Sequence, residues 1–377
     1  MKKEIMTNKR IKKSLSVIDL SDPKNGPHVI NLAIEKIQNC LSKKSDWPIP
    51  EIKRSSPITT IDKNYDRLLF PVDNPGRSSR YTRYISDNQV LRTHTSEMIP
   101  DILDELNKTE TIDHLVMCPG ICYRRDVIDK THCGEPHQMD IWRTKKGLPR
   151  LERPELLELI KTIMECVLLG MKYRANEVTH PYTINGLEIE VLKNNGEWLE
   201  LLECGETHPE ILKNSGLDPQ KYSGLAIGIG LDRLAMLIKD IEDIRILRSN
   251  DHRIKKQMER LDLYIPVSKY PLIRQDLSVS VSSDITEEDV CEIVKDSLNE
   301  KSDIIEEINI ISETPYKKLP PEAIERLGIT SEQKNLLIRV ILRAHDRSLT
   351  HEEANEMRDV MYYAIDESKT GGYLAKN

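Results

Sequence analysis

Phenylalanine is almost missing from this chain: a single Phe70 stands among 377 residues that include 13 Tyr and 3 Trp. Long apolar runs are missing too. No window approaches the roughly 18 consecutive apolar residues that cross a bilayer, so no membrane-spanning helix is expected. The seven cysteines, Cys40, Cys118, Cys122, Cys133, Cys166, Cys204 and Cys291, are odd in number and scattered, with no CxxC pair. That spacing offers no framework for structural zinc, and they read as reduced thiols of a cytoplasmic protein. A formal net charge of −7 argues against indiscriminate nucleic-acid binding, while leaving room for a local basic face. The opening residues are basic (Lys9-Arg10-Ile11-Lys12-Lys13), but no apolar signal core follows, and Glu4, Asp19 and Asp22 do not suit a transit peptide. Residues 1–26 read as a basic, disordered tail.

What remains is long enough for two domains with full-sized cores. Val29, Ile30, Ala33, Ile34, Ile37 and Leu41 fall at helical spacing behind Gly26-Pro27. A Pro-rich, irregular stretch follows over 46–83 and is expected to wrap the domain or lie at an interface. A strand is expected around Leu115–Met117, and a long amphipathic helix over Pro154–Met171. Alternation on either side of Asn194-Asn195-Gly196 predicts a β-hairpin. Gly224-Leu-Ala-Ile-Gly-Ile-Gly-Leu-Asp-Arg reads as a strand running directly into a helix that carries Arg233. Helices, then antiparallel hairpins, then a strand–helix end make the class α+β. The charged run 251–261 reads as a linker between residues 27–250 and 262–377. Beyond it the order is β-α-β-β-α, with a last strand optional, as in a ferredoxin-like module.

The stretch Tyr123–Trp142 reads as two antiparallel strands joined by a long turn near Gly134 and Pro136. Its arginines suit a phosphate or carboxylate, because a guanidinium donates bidentately. Its Gln138 and Asp140 suit an amide or ammonium. Gly228-Ile-Gly230-Leu-Asp-Arg233 lacks the third glycine of a dinucleotide fingerprint. It fits a strand that lets a flat ring approach the backbone before a helix start presents an arginine to phosphate.

These elements in this order resemble a class II aminoacyl-tRNA synthetase, and in detail the phenylalanyl type. Leu91-Arg-Thr-His-Thr-Ser96, Tyr123-Arg-Arg-Asp with Asp129-Lys-Thr-His132 and His137-Gln-Met-Asp140, Trp198-Leu-Glu-Leu-Leu-Glu-Cys-Gly205 with His208-Pro209, and Ser223–Leu237 are each similar to that family's motifs. Lys269-Tyr-Pro-Leu-Ile-Arg-Gln-Asp-Leu-Ser278 and Asp346-Arg-Ser-Leu-Thr-His-Glu-Glu353 resemble its ferredoxin-fold anticodon-binding domain. The resemblance spans about residues 27–377 and has the single-chain, organellar-type arrangement. It implies an antiparallel-sheet catalytic domain, ATP as substrate with Mg²⁺, and tRNA and an amino acid as partners, in a monomer or homodimer. Arg124 would hold the α-phosphate and substrate carboxylate, His132 the β/γ-phosphates and Arg233 the γ-phosphate. Pro136, Gly228 and Gly230 would border adenine, and Glu200 with Glu190 would carry Mg²⁺. His94, Ser96, Gln138 and Asp140 would recognise the amino acid, with His180, Tyr182, Glu203 and Ala226 around its side chain. Lys269, Arg274, Arg343 and Arg347 would meet tRNA.

The sequence departs from the family at several of these places. Pro136 stands where an aromatic residue stacks on adenine, and Asp140 where the family has Glu. His180-Pro181-Tyr182 replaces Phe-Pro-Phe, Leu225-Ala226-Ile227 replaces Phe-Ala-Phe, and Glu203 replaces a glycine. Buried polar groups need partners, so this pocket favours a substrate with a polar or cationic group, with phenylalanine as the alternative. Two other functions stay open at this point. One is adenylate formation on a non-tRNA acceptor; the other is a non-catalytic regulatory paralogue that binds tRNA or an amino acid. The scarcity of Phe suits a paralogue translated when charged phenylalanyl-tRNA is short.

Overall fold

The computed structural model describes residues 3–125, 127, 129–266 and 270–368. The chain divides into two compact units. The first comprises Met1–Arg124, Glu135–Ile241 and Lys256–Tyr264; the second comprises Arg125–Gly134, Glu242–Lys255 and Ile265–Asn377.

The first unit is built on a seven-stranded sheet. Its strands are β1 (Glu51–Ile52), β2 (Asp113–Ile121), β3 (His137–Lys146), β4 (Tyr173–Glu177), β5 (Thr183–Leu192), β6 (Trp198–Thr207) and β7 (Tyr222–Gly230). Their spatial order is β1-β2-β3-β7-β6-β5-β4. All pairings are antiparallel except β1 with β2, where Glu51 lies opposite Val116. Side chains alternate across each strand. Met139, Ile141, Ile227, Ile229, Leu202 and Cys204 are all buried and fall on one face. Helices Val29–Leu41, Arg153–Val167 and Leu231–Lys239 supply the apolar stripes that such a face needs, and the last packs on β3, β6 and β7.

Of the hairpin expected over Tyr123–Trp142, the second arm is β3 but the first is not a strand; the strand expected around Leu115–Met117 takes its place. The first arm of the hairpin is β2, ending at Ile121, and among the described residues of 122–136 Arg124 makes an isolated bridge to Thr82. β2 is buried along nearly its whole length, so it shows a continuous apolar run in place of alternation. Three further expectations are corrected. Residues of the supposed disordered tail form the helix Asn8–Leu15, capped by Thr7. The supposed linker contains the helix His252–Met258. Cys40 and Cys166, on two of the long helices, are joined in a disulfide, which leaves five free cysteines and removes the support that seven thiols gave to a cytoplasmic location. Spacing of 126 residues carries no sequence signal for such a pair.

The second unit runs β8 (Ile273–Ser282), helix Glu287–Leu298, β9 (Ile305–Pro315), β10 (Gln333–Leu342), helix His351–Ile365. Its antiparallel sheet has the order β8-β10-β9. Both helices start at threonine capping boxes, at Thr286 and Thr350. Leu277, Val279, Ile338 and Val340 from the sheet meet Val290, Val294, Met357 and Met361 from the helices. Residues 125–134 belong to this unit: Val127 packs against that core, and the Arg125 Nε lies 3.1 Å from Glu292. Among the described residues, no helix is long and apolar enough to cross a membrane.

Within the first unit, Arg83 ties the N-terminal helix to the connection after β2. Its guanidinium lies 2.7 Å from Glu135, 3.2 Å from the Ser14 hydroxyl and 2.9 Å from the Arg124 carbonyl oxygen. The pair is nearly dry, with side chains 9% and 11% exposed. Removing one partner of a buried pair strands the other's charge, so Arg83→Met should cost about 3–5 kcal/mol in urea denaturation. A loss below about 1 kcal/mol would show that the pair does not hold this corner.

Candidate active site

The face of the sheet opposite the helices is set by register. On β3 the residues Gln138, Asp140 and Trp142 lie opposite Gly230, Gly228 and Ala226 of β7. On β6, Glu203 lies opposite Gly228 and Gly205 opposite Ala226. A Cβ added at Gly228 would come no nearer than 3.7 Å to Asp140, and one at Gly230 no nearer than 3.6 Å to the Leu201 carbonyl oxygen. The protein's own packing therefore does not demand glycine at either place; the missing side chains keep open backbone to which a flat ring has access.

Two arginines border this floor. Arg124 donates from Nε to the Thr93 carbonyl oxygen at 2.7 Å, and its guanidinium lies 5.7 Å from the Tyr81 ring centroid. Thr93 is itself fixed by Asn64, whose side chain both donates to the Thr93 hydroxyl (2.9 Å) and accepts from its amide (3.1 Å). Asn64 is thus a positioning residue that sequence reasoning missed, since a lone Asn in a Pro-rich stretch gives no signal. Arg233, in the first turn of Leu231–Lys239, meets the Glu200 carboxylate and carbonyl oxygen, both at 3.1 Å.

Opposite Gly228, Asp140 is buried, and Ser96 lies 2.8 Å from both carboxylate oxygens, with Thr95 at 3.3 Å. Burial pushes the Asp140 pKa from 3.8 up to about 7, against the opposing hydrogen bonds of Ser96 and Thr95. His94 stacks on Phe70 at 5.4 Å, and both of its ring nitrogens are shielded without a hydrogen-bond partner. Burial, with Arg124 nearby, lowers its pKa to about 3, so the ring is neutral at pH 7. His180 lies 3.2 Å from Glu203, and this contact, working against burial, lowers the Glu203 pKa. The two groups expected to call for a polar substrate therefore partner each other. Gln138 accepts from the Cys122 thiol at 3.5 Å. Pro136 lends its carbonyl oxygen to the Cys122 amide at 2.7 Å.

The carboxylates differ from expectation. Glu190 is held by Arg174 at 2.7 Å and Asn176 at 2.6 Å, away from the expected cluster. In its place Glu188 joins Glu200 and Glu203, each offering an oxygen within 4.8 Å of the others. The cause is a bulge at Leu201: Ile189 pairs with Leu202 and Glu190 with Glu200, so residues three apart on β6 share a face. An all-oxygen set of this kind suits Mg²⁺. No periodic pattern in the sequence marks the bulge.

His132 lies in the second unit, where its Nδ1 meets Asp129 at 2.7 Å. Burial would raise the Asp129 pKa, but the His132 ring and Thr131 outweigh it and hold the carboxyl at about 2. Of the expected tRNA contacts, Arg274 is exposed on β8, Arg343 lies 2.8 Å from Glu306, and Arg347 lies 2.8 Å from Glu353. Lys269 lies outside the described residues.

The raised Asp140 pKa makes stability depend on pH. The folded state keeps the proton up to about pH 7, whereas the unfolded chain gives it up near 3.8. The stability this gives is fully present below about pH 4 and is lost as pH rises to about 7, a change on the order of 4 kcal/mol. Urea denaturation of the wild type and Asp140→Asn should diverge across that window, with the slope absent from the variant. Parallel curves would contradict the burial argument.

The comparisons with known proteins fit this geometry. The family described as tRNA synthetases class II core domain (F) matches residues 17–258. The chain is 32% identical over 315 residues to the chloroplastic/mitochondrial phenylalanine–tRNA ligase of Arabidopsis thaliana, covering 80% of this chain and 68% of that one. It is 28% identical over 386 residues to the mitochondrial phenylalanine–tRNA ligase of Saccharomyces cerevisiae, covering 81% and 79%. With the phenylalanine–tRNA ligase alpha subunit of Acaryochloris marina it shares 37% identity over 194 residues, 52% of this chain and 56% of that one. The chain belongs to the family of class II tRNA synthetases.

Proposed function

We propose that this protein is an ATP-dependent aminoacyl-tRNA ligase of the phenylalanyl type. In this reading an amino-acid carboxylate oxygen attacks the α-phosphorus of ATP, the bond to the β-phosphate oxygen breaks, and pyrophosphate leaves with that electron pair. The resulting aminoacyl adenylate is then attacked by a hydroxyl of the tRNA terminal ribose, releasing AMP. The observation that carries the reading is one sheet face with Arg124 and Arg233 at its border, bare glycine backbone at Gly228 and Gly230, and the Asp140–Ser96 pair beside them.

Such a reaction asks more of positioning and charge neutralisation than of proton transfer. Arg124, held through Thr93, would neutralise the α-phosphate and align the attacking carboxylate. Arg233 would exchange its Glu200 partner for the terminal phosphate. Asp140, ionised when an ammonium approaches, would orient the substrate's amino end with Ser96. Glu188, Glu200 and Glu203 would hold Mg²⁺, which supplies charge neutralisation to bound phosphates. The second unit's β-α-β-β-α order and its β8-β10-β9 sheet support a ferredoxin-like module that binds the anticodon, with Arg274, Arg343 and Arg347 as contacts.

Amino-acid-dependent ATP–pyrophosphate exchange over the twenty standard amino acids, followed by tRNA charging with the best of them, tests the proposal. Exchange and charging are expected. Arg124→Ala should lower the exchange rate by about 10²–10³-fold while leaving the fold intact by circular dichroism. Absence of exchange with every amino acid would reject the enzyme. Exchange without charging would reject tRNA as the acceptor.

A further inference from the structure

The helix Asn8–Leu15 carries Lys9, Arg10, Lys12 and Lys13 and no acidic residue, in a chain whose formal net charge is −7. Lys12 and Lys13 in its last turn suit the negative end of the helix dipole. Lys12 and Lys13 stand three and four residues after Lys9, so the three share one side of the helix, and all are exposed. The opposite side turns inward, with Ser14 buried and Ile11 half-buried. Glu4 is met by Arg10 at 3.9 Å, and among the described residues Lys9 and Lys12 meet no carboxylate. The helix is docked at both ends. Met6 before it and Val17 after it pack against Leu91, Ile121 and Tyr123. The Met6 amide donates to the Tyr84 carbonyl oxygen and the Glu4 amide to the Ser79 hydroxyl oxygen, both at 2.8 Å. Arg83 then joins it to the active site, with one guanidinium nitrogen 3.2 Å from the Ser14 hydroxyl and the other 2.9 Å from the Arg124 carbonyl oxygen. The lysine face is thus fixed one side chain away from Arg124.

We propose, resting on the ligase reading above, that Lys9, Lys12 and Lys13 form a docking face for the sugar–phosphate backbone of the tRNA acceptor arm. In the transfer step the terminal ribose must reach the adenylate beside Arg124, which brings the phosphates behind it to this border of the sheet. Ammonium groups on flexible stems suit that partner, because they neutralise phosphates as point charges and do not read bases. The face therefore holds the arm in place and leaves its sequence to be read elsewhere. An anionic membrane is the other surface that a basic helix can meet, but such a helix turns its apolar side outward. Here Ile11 faces the protein and the outward side bears lysine; Leu15 and Ile18 are exposed only at and beyond the helix end.

The test compares the intact chain with a variant in which Lys9→Gln, Lys12→Gln and Lys13→Gln are combined. The probes are a phenylalanine tRNA transcript and a hairpin carrying its acceptor arm alone, with affinity measured over a series of salt concentrations. Losing three phosphate contacts should flatten the slope of log affinity against log salt by about 2–3, and equally for the two probes. Charging should fall by roughly tenfold or more in kcat/KM, carried by KM for tRNA, while ATP–pyrophosphate exchange stays unchanged. The substituted side chains are exposed, so circular dichroism and the melting temperature should match the wild type. A variant with an unaltered salt slope overturns the proposal, as does a loss seen with the full tRNA but not with the acceptor hairpin. Retained tRNA binding together with lost binding to vesicles of phosphatidylcholine and phosphatidylserine would reassign the face to a membrane surface. Failure of the ligase reading looks different: the wild type itself would show no exchange with any amino acid, or would bind and charge no tRNA.

Discussion

Everything at the site depends on one register. Pairing of β3 with β7 places Gln138, Asp140 and Trp142 against Gly230, Gly228 and Ala226. A slip of one residue would send Asp140 into the apolar layer beneath the helices and turn Met139 and Ile141 towards the ligand. The register is specified because one face is apolar and covered while the other is lined with glycine, carboxylate and indole. The same burial that fixes it raises the Asp140 pKa and shields His94 and the Trp142 nitrogen. Positional accuracy and electrostatic tuning therefore share a single cause.

Around this floor the functional groups are held at second hand. Arg124 reaches its place because Asn64 clamps Thr93 and Arg83 holds the Arg124 carbonyl oxygen. Glu200 shares a face with Glu203 because Leu201 is an extra residue in its strand. Bulges and side-chain clamps of this sort re-aim a side chain without changing the sheet, which is how a common core accommodates different substrates.

The elements with strong periodicity were legible in the sequence. The helix Val29–Leu41, the hairpin turning at Asn194-Asn195-Gly196, and the strand–helix junction at Gly230 needed only spacing and turn chemistry. Arg124, Arg233, Ser96 and Asp140 could be chosen because ordered motifs carry them. What escaped depends on long-range contact. β2 was expected as a strand, but its continuous burial leaves no alternation to mark it as the partner of β3. The Cys40–Cys166 link joins helices far apart in sequence. Glu200 shares a face with Glu203 only because of an irregular strand, and Glu190 is held away by Arg174 and Asn176. His180 and Glu203 looked like polar groups awaiting a substrate, whereas each is the other's partner.

The central claim is that this sheet face binds an aminoacyl adenylate with its ammonium at Asp140 and its nucleotide over the two glycines. A crystal structure with an aminoacyl-sulfamoyl adenosine tests it most directly. The account predicts the ammonium within hydrogen-bond distance of Asp140, the sulfamoyl group beside Arg124, and adenine lying along Gly228–Gly230. An analogue bound elsewhere, or bound with its ammonium away from Asp140, would contradict it.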